Sequence, residues 1–177
     1  MAPDAAKALV KFLTGPEAAT TNQKRWIGAG LSTENLVTNI GADGGCLCHS
    51  IRYRIAGVPL AQSRCHCRSC RLAAGAPSVA WTVVKRTDFA FTNGDPMRFR
   101  SSPSVIRTFC GRCGTPLTYQ HDDSPETIDI TTATIDQPAR FPPTREVWVD
   151  HKIAWEPLDP NLRHFATGSS EGFGSVG

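Results

Sequence analysis

Seven cysteines, gathered into three tight groups, constrain this 177-residue chain more than any other feature. They stand as Cys46-Leu47-Cys48, Cys65-His66-Cys67-Arg68-Ser69-Cys70 and Cys110-Gly111-Arg112-Cys113-Gly114. An odd number cannot close a complete set of intrachain disulfides. The segment Met1 to Leu13 carries Asp4, Lys7 and Lys11 and holds no apolar run of signal-peptide length, so secretion is not expected. In a reducing compartment such as the cytoplasm, the expected location, clustered cysteines point to metal or catalysis rather than to disulfides.

The spacing divides the seven into four and three. Zinc takes tetrahedral thiolate or imidazole ligands, four of them in a structural site. A C-x-x-C turn followed by glycine aims two sulfurs to one side, so Cys110 and Cys113 form a good half-site. Cys46 and Cys48 would supply the other half, with Gly44 and Gly45 permitting the bend. Cys65, Cys67 and Cys70 can surround a second ion and leave one position for water or substrate, the arrangement of a catalytic zinc. Three thiolates around a divalent ion carry net negative charge, which makes a weak Lewis acid suited to activating a further thiol. Two alternatives stay open at this level. His66 or a distant histidine could close the second site as a structural one, or the cysteines could form a redox set.

The formal net charge of +3 is weak evidence for a polyanionic partner. Seven thiolates and two zinc ions would bring it close to zero. No block of five or more basic residues appears, so nucleic acid is not an expected partner. No apolar stretch approaches the length of a membrane span, so a membrane is not expected either.

The chain reads as three segments. Residues 1–43 form an N-terminal extension with a short amphipathic helix, in which Ala5, Ala8, Leu9, Phe12 and Leu13 share a face before Gly15-Pro16. Residues 44–166 form the cysteine-bearing domain, and 167–177 a Gly/Ser-rich flexible tail. Within the domain, Ile51, Tyr53 and Ile55 alternate with Arg52 and Arg54 as in a half-buried strand. Further strands are expected at Val79 to Val84, Phe89 to Phe91, Val105 to Phe109, from Pro116, at Ile128 to Ile135 and at Arg145 to Val149. One short helix is expected around Ser69 to Ala74, ended by Gly75. Short strands between Gly/Pro turns indicate a mainly β domain.

Several motifs in a fixed order then carry a resemblance over Gly44 to Phe165. They are Gly45-Cys46-Leu47-Cys48 with Ile51-Arg52-Tyr53, Cys65-His66-Cys67-Arg68-Ser69-Cys70-Arg71 with Gly75-Ala76-Pro77 and Trp81, and Phe109-Cys110-Gly111-Arg112-Cys113-Gly114-Thr115-Pro116-Leu117. Ile135-Asp136, Pro142-Pro143 and Trp155 follow. In these the chain resembles the glutathione-dependent formaldehyde-activating enzyme family, also called the centromere protein V family. The resemblance implies a β-tent-like zinc-binding fold of short, mostly antiparallel strands. It implies a structural zinc on Cys46, Cys48, Cys110 and Cys113, and a second on Cys65, Cys67 and Cys70 with a substrate thiol as fourth ligand. His49 departs from it, standing where the family commonly has glycine.

The leading expectation is a zinc-dependent carbon–sulfur lyase with two zinc ions per chain. Its substrate would be a thiol–aldehyde adduct such as S-hydroxymethylglutathione, with glutathione as co-substrate. His66, His49 and zinc-bound water are the candidate proton donors, and Arg71 and Arg68 the candidate grips for substrate carboxylates. Two other readings are an open-zinc enzyme doing a lyase, hydrolytic or isomerase step on another small metabolite, and a non-catalytic zinc-stabilised binding module. The extension could cover the open zinc or form a homo-oligomer contact. Trp81, Trp148 and Trp155 are expected in packing, and Asp129 could face either solvent or the pocket.

Overall fold

The computed structural model describes residues 41–169. The expected N-terminal helix and all of the tail beyond Ser169 lie outside the described residues. Eleven strands and one helix make the described part mainly β. The strands are β1 (Ala42–Gly45), β2 (Arg52–Ile55), β3 (Ala61–Cys65), β4 (Val79–Lys85), β5 (Phe89–Asn93), β6 (Met97–Ser102), β7 (Val105–Phe109), β8 (Pro116–His121), β9 (Thr127–Thr131), β10 (Arg145–Val147) and β11 (Arg163–Phe165). The helix α1 is Arg68–Ala74. Among the described residues no helix is long and apolar enough to cross a membrane.

Two sheets result. A three-stranded sheet has the order β1-β2-β5, and an eight-stranded sheet the order β11-β10-β3-β4-β9-β8-β7-β6. Pairing is antiparallel except at one edge, where β10 runs parallel to both β3 and β11. The strands are thus mostly antiparallel, as expected, and the two parallel pairs are confined to that edge. The eight-stranded sheet is open, with β11 and β6 at its edges.

Period-two alternation gives the large sheet two different faces. From one face Val84, Leu117, Ile128 and Ile130 enter the main core, where Ile51, Tyr53, Ile55 and Phe89 from the small sheet's side meet them. The alternation of Ile51, Tyr53 and Ile55 in the sequence therefore marks the contact between the sheets. From the other face Trp81, Val83, Tyr119 and Asp129 line a cavity. Gly44 lets Tyr53 pass close beneath β1, because a Cβ there would lie 2.3 Å from the tyrosine ring and 2.6 Å from the Thr134 carbonyl oxygen.

Two expected strands stop early. β9 turns at Thr132–Thr134 into a single 3₁₀ turn. β10 ends at Val147 because Trp148 adopts a left-handed backbone (φ 59°) and leads into another such turn. α1 forms as the sequence suggested. Gly75 takes a left-handed conformation (φ 62°) and its N–H donates to the Arg71 carbonyl, closing the helix.

Candidate metal centres and the cavity beside the second

The first cysteine cluster is built from two turns that belong to different sheets. Between β1 and β2, the Cys46 N–H donates to the Ile51 carbonyl (3.1 Å) and the His49 N–H to the Cys46 carbonyl (3.0 Å). His49 sits at φ 59°, the region glycine favours, and its side chain is exposed. Between β7 and β8, the Cys110 N–H donates to Thr115 and the Gly114 N–H to Cys110, with Gly114 at φ 76°. The Leu47 N–H donates to the Thr115 hydroxyl (3.1 Å) and ties the turns together.

Here the sulfurs of Cys46, Cys48, Cys110 and Cys113 all lie within 4.8 Å of one another. With zinc–sulfur bonds of about 2.3 Å, the edge of a thiolate tetrahedron is about 3.8 Å. Cys46 and Cys48 are 3.6 Å apart, and Cys48 and Cys110 3.7 Å. The donor set fits a tetrahedral ion. At Cys113 and Cys46 the local environment favours the thiolate, whereas Cys48 is shifted the other way. The Thr115 hydroxyl and backbone N–H hold Cys113 down to about 5. At Cys46 burial raises the pKa, but the Ile51 N–H and the Ser50 hydroxyl outweigh it and bring it to about 7. A metal here would join β1-β2 to β7-β8 and close its own coordination shell.

In the second cluster three sulfurs, from Cys65, Cys67 and Cys70, lie within the same 4.8 Å. Cys65 ends β3, and Cys67 is the N-cap of α1, its sulfur accepting from the Cys70 N–H (3.3 Å). The neighbouring thiols of Cys65 and Cys70, helped by backbone N–H groups, push Cys67 far toward the thiolate. The same contact pushes Cys65 upward. The Arg107 guanidinium lies 3.6 Å from the Cys70 sulfur. This three-sulfur set also fits a soft divalent ion, with one tetrahedral position left over.

The second cluster opens into a cavity of about 470 Å³. Its walls include Trp81, Tyr119, Trp148, Arg107 and Asp129 as well as Arg68. Arg107 lies over the Tyr119 ring (4.9 Å), and Trp81 packs on the same ring at 6.0 Å. No cysteine of the first cluster lines this cavity.

The other candidates from the sequence fall elsewhere. Neither His66 nor His49 lines the cavity. His66 lies between two inward cysteines, so its side chain points away from them and is fully buried. There it meets Glu146 on β10 at 2.6 Å. Glu146 is also fully buried, accepting from Arg64 and from the Asp159 N–H (2.7 Å). Arg71 spends its guanidinium on the His66 carbonyl (3.1 Å) and does not line the cavity, whereas Arg68 does. Arg107 and Tyr119 were missed because a strand residue with a long polar side chain reads as solvent-facing until the opposite wall is known. Trp81 and Trp148 are packing residues that also form that wall.

A family model described as glutathione-dependent formaldehyde-activating enzyme matches residues 41–151. The chain belongs to this family. A curated Schizosaccharomyces pombe protein, described as an uncharacterized lyase, is 29% identical over 79 residues, 45% of this chain and 57% of that protein. The chain thus spans a little over half the length of that relative. A Rhodobacter sphaeroides protein of known crystal structure aligns with a TM-score of 0.47 at 16% identity, over 70% of this chain and 98% of the other. In this member of the family, both cysteine clusters are placed to hold a metal ion.

Proposed function

We propose that the chain is a metal-dependent lyase acting on a small metabolite held in the cavity beside Cys65, Cys67 and Cys70. The observation that carries this reading is the contrast between the clusters. Four sulfurs make a site with no room for substrate, while three sulfurs face a cavity of metabolite size. Zinc bound to the three sulfurs would offer its fourth position to a substrate sulfur or oxygen and lower the pKa of that group.

The chain's own residues supply the rest. Arg68 and Arg107 present positive charge to an anionic substrate, with Arg107 held between Tyr119 and the Ser101 hydroxyl. Trp81, Tyr119 and Trp148 give the cavity an aromatic wall against which an apolar part of the substrate can pack. Within the lyase class, the substrate we propose is a thiol–aldehyde adduct such as S-hydroxymethylglutathione, whose carbon–sulfur bond would break or form. Seven free thiols suit a reducing cytoplasm.

A lyase, hydrolytic or isomerase step on a different small metabolite is the second reading. It is favoured by Arg71, which lies outside the cavity and cannot grip a tripeptide carboxylate there. Exchange between glutathione and formaldehyde, followed by NMR with and without zinc-loaded protein, separates the two. Acceleration that is lost in Cys67→Ser supports the thiol–aldehyde substrate. No acceleration by protein carrying two zinc ions refutes that substrate and leaves the second reading. Full turnover by a folded Cys67→Ser protein refutes the site itself.

A further inference from the structure

The central strand β9 sends one acidic side chain into the cavity. Asp129 is opposite Val83 of β4 and opposite Tyr119 of β8, and the same cross-strand row runs on to Ala61 of β3 and Arg107 of β7. All five of these residues line the cavity that Cys65, Cys67 and Cys70 also line. The neighbours of Asp129 along β9, Ile128 and Ile130, go to the core on the other face. Aspartate is disfavoured in central strands, and packing gives no reason for it here. Among the described residues no hydrogen bond holds its carboxylate.

The groups around Asp129 leave it able to gain and lose a proton. β7 presents Arg107 and β8 presents Tyr119. β4 presents the uncharged Trp81 and Val83, with Lys85 at its exposed end. The three cysteines, Arg68, Arg145 and His151 also line the cavity. Burial raises the carboxyl pKa to about 7, and the charge of Arg107 offsets only part of that. Tyr119 is pushed up to about 12 by burial, so it remains a neutral hydroxyl.

We propose that Asp129 is the acid–base residue of the cavity, the group that protonates and deprotonates the substrate oxygen. The inference rests on the lyase reading above and assigns the proton transfer that reading leaves open. In the direction of addition, a substrate thiolate forms a carbon–sulfur bond with the carbonyl carbon. The carbonyl π electrons move to oxygen, and that oxygen takes the Asp129 proton to become a hydroxyl. The carboxylate left behind is reprotonated from water, which received the proton when the thiol ionised. In reverse, the Asp129 carboxylate removes the hydroxyl proton, the carbonyl re-forms and the carbon–sulfur bond breaks to release thiolate. A group with pKa near the working pH serves both directions.

The test compares zinc-loaded wild-type, Asp129→Asn and Asp129→Glu proteins, using glutathione with formaldehyde as the probe. Turnover is measured across neutral pH, and thiol binding separately by calorimetry. The carboxylic C=O stretch of the same proteins is titrated by infrared difference spectroscopy. The expected result is a loss of about 100-fold or more in Asp129→Asn with thiol binding kept. Asp129→Glu should recover part of the rate with a displaced pH profile. A protonated-carboxyl band that titrates near neutrality should be present in wild type and absent in Asp129→Asn. Wild-type turnover and pH profile in Asp129→Asn would overturn the assignment while leaving the lyase reading intact. If wild type does not act on this adduct, that substrate fails by itself and the infrared titration decides for Asp129. A band titrating near neutrality supports it as the proton-holding group, and a carboxylate ionised throughout overturns it.

Discussion

Replacing Glu146 by glutamine tests whether the buried polar cluster behind the second cysteine group is needed for stability. Glu146 and His66 are both fully buried, and Arg64 is 27% exposed at its side chain. The carboxylate accepts from three donors, namely Arg64, His66 Nε2 and the Asp159 N–H. A glutamine has one acceptor oxygen and turns two donor hydrogens toward one of those partners. If the amide nitrogen faces His66, the ring must move its hydrogen to Nδ1, which is buried and has no partner. The variant then carries an unsatisfied buried donor, at about 1–3 kcal/mol, and exchanges a charge-assisted bond to Arg64 for a neutral-acceptor one, at about 1 kcal/mol. The expected destabilisation is about 2–4 kcal/mol.

The assay is urea unfolding of zinc-saturated protein, with the slope checked for constancy. Acid unfolding supplies a second readout. Burial raises the Glu146 pKa, but Arg64, the Asp159 N–H and His66 outweigh it, so the folded value is below the ordinary 4.5. Its ionised form therefore stabilises the fold fully above about pH 4.5, and that contribution is lost as pH falls through the lower folded value. The variant should lack this part of the acid transition. A Glu146→Gln protein within about 0.5 kcal/mol of wild type, with an unchanged acid limb, would refute the reasoning.

Cys110→Ser should lower zinc content from two equivalents to one and cost several kcal/mol of stability, as metal binding there contributes to folding; two equivalents in a stable variant would contradict the four-sulfur site. His49→Gly should be neutral to stabilising by about 1 kcal/mol. Relief of about 1–2 kcal/mol of left-handed strain at φ 59° exceeds the added chain entropy of about 0.5–1 kcal/mol. Thermal denaturation would show it, and clear destabilisation would mean that the His49 side chain holds the turn. Gly44→Ala should cost about 2 kcal/mol or more, because the new methyl meets the Tyr53 ring and the Thr134 carbonyl; an unchanged unfolding midpoint would show that β1 can shift away.

Local chemistry made much of this protein legible in its sequence. The C-x-x-C-Gly turn at Cys110, the helix closed by Gly75 and the alternation at Ile51, Tyr53 and Ile55 depend on neighbours a few residues away. Backbone conformations and strand periodicity act over that range. The division of the cysteines into four and three was legible for the same reason, since each half-site is a local turn. Strands at edges or with polar sequences were not legible. β3 is mostly polar, and β6 alternates Met97 and Phe99 with Arg98 and Arg100 yet buries neither face.

Only the tertiary structure decided which face of each strand mattered. Alternation separates Asp129 from Ile128 and Ile130 but does not say which side is core and which is cavity. That is set by the small sheet covering one face and by β10 and α1 bordering the other. It also took the pairing of β10 with β3, from the far end of the domain, to bury Glu146 against His66. That contact turns a histidine between two cysteines into part of the support behind the cavity. Side chains remote in sequence share a site only after the strands pair, because register is fixed by the packing of whole faces and not by any single residue.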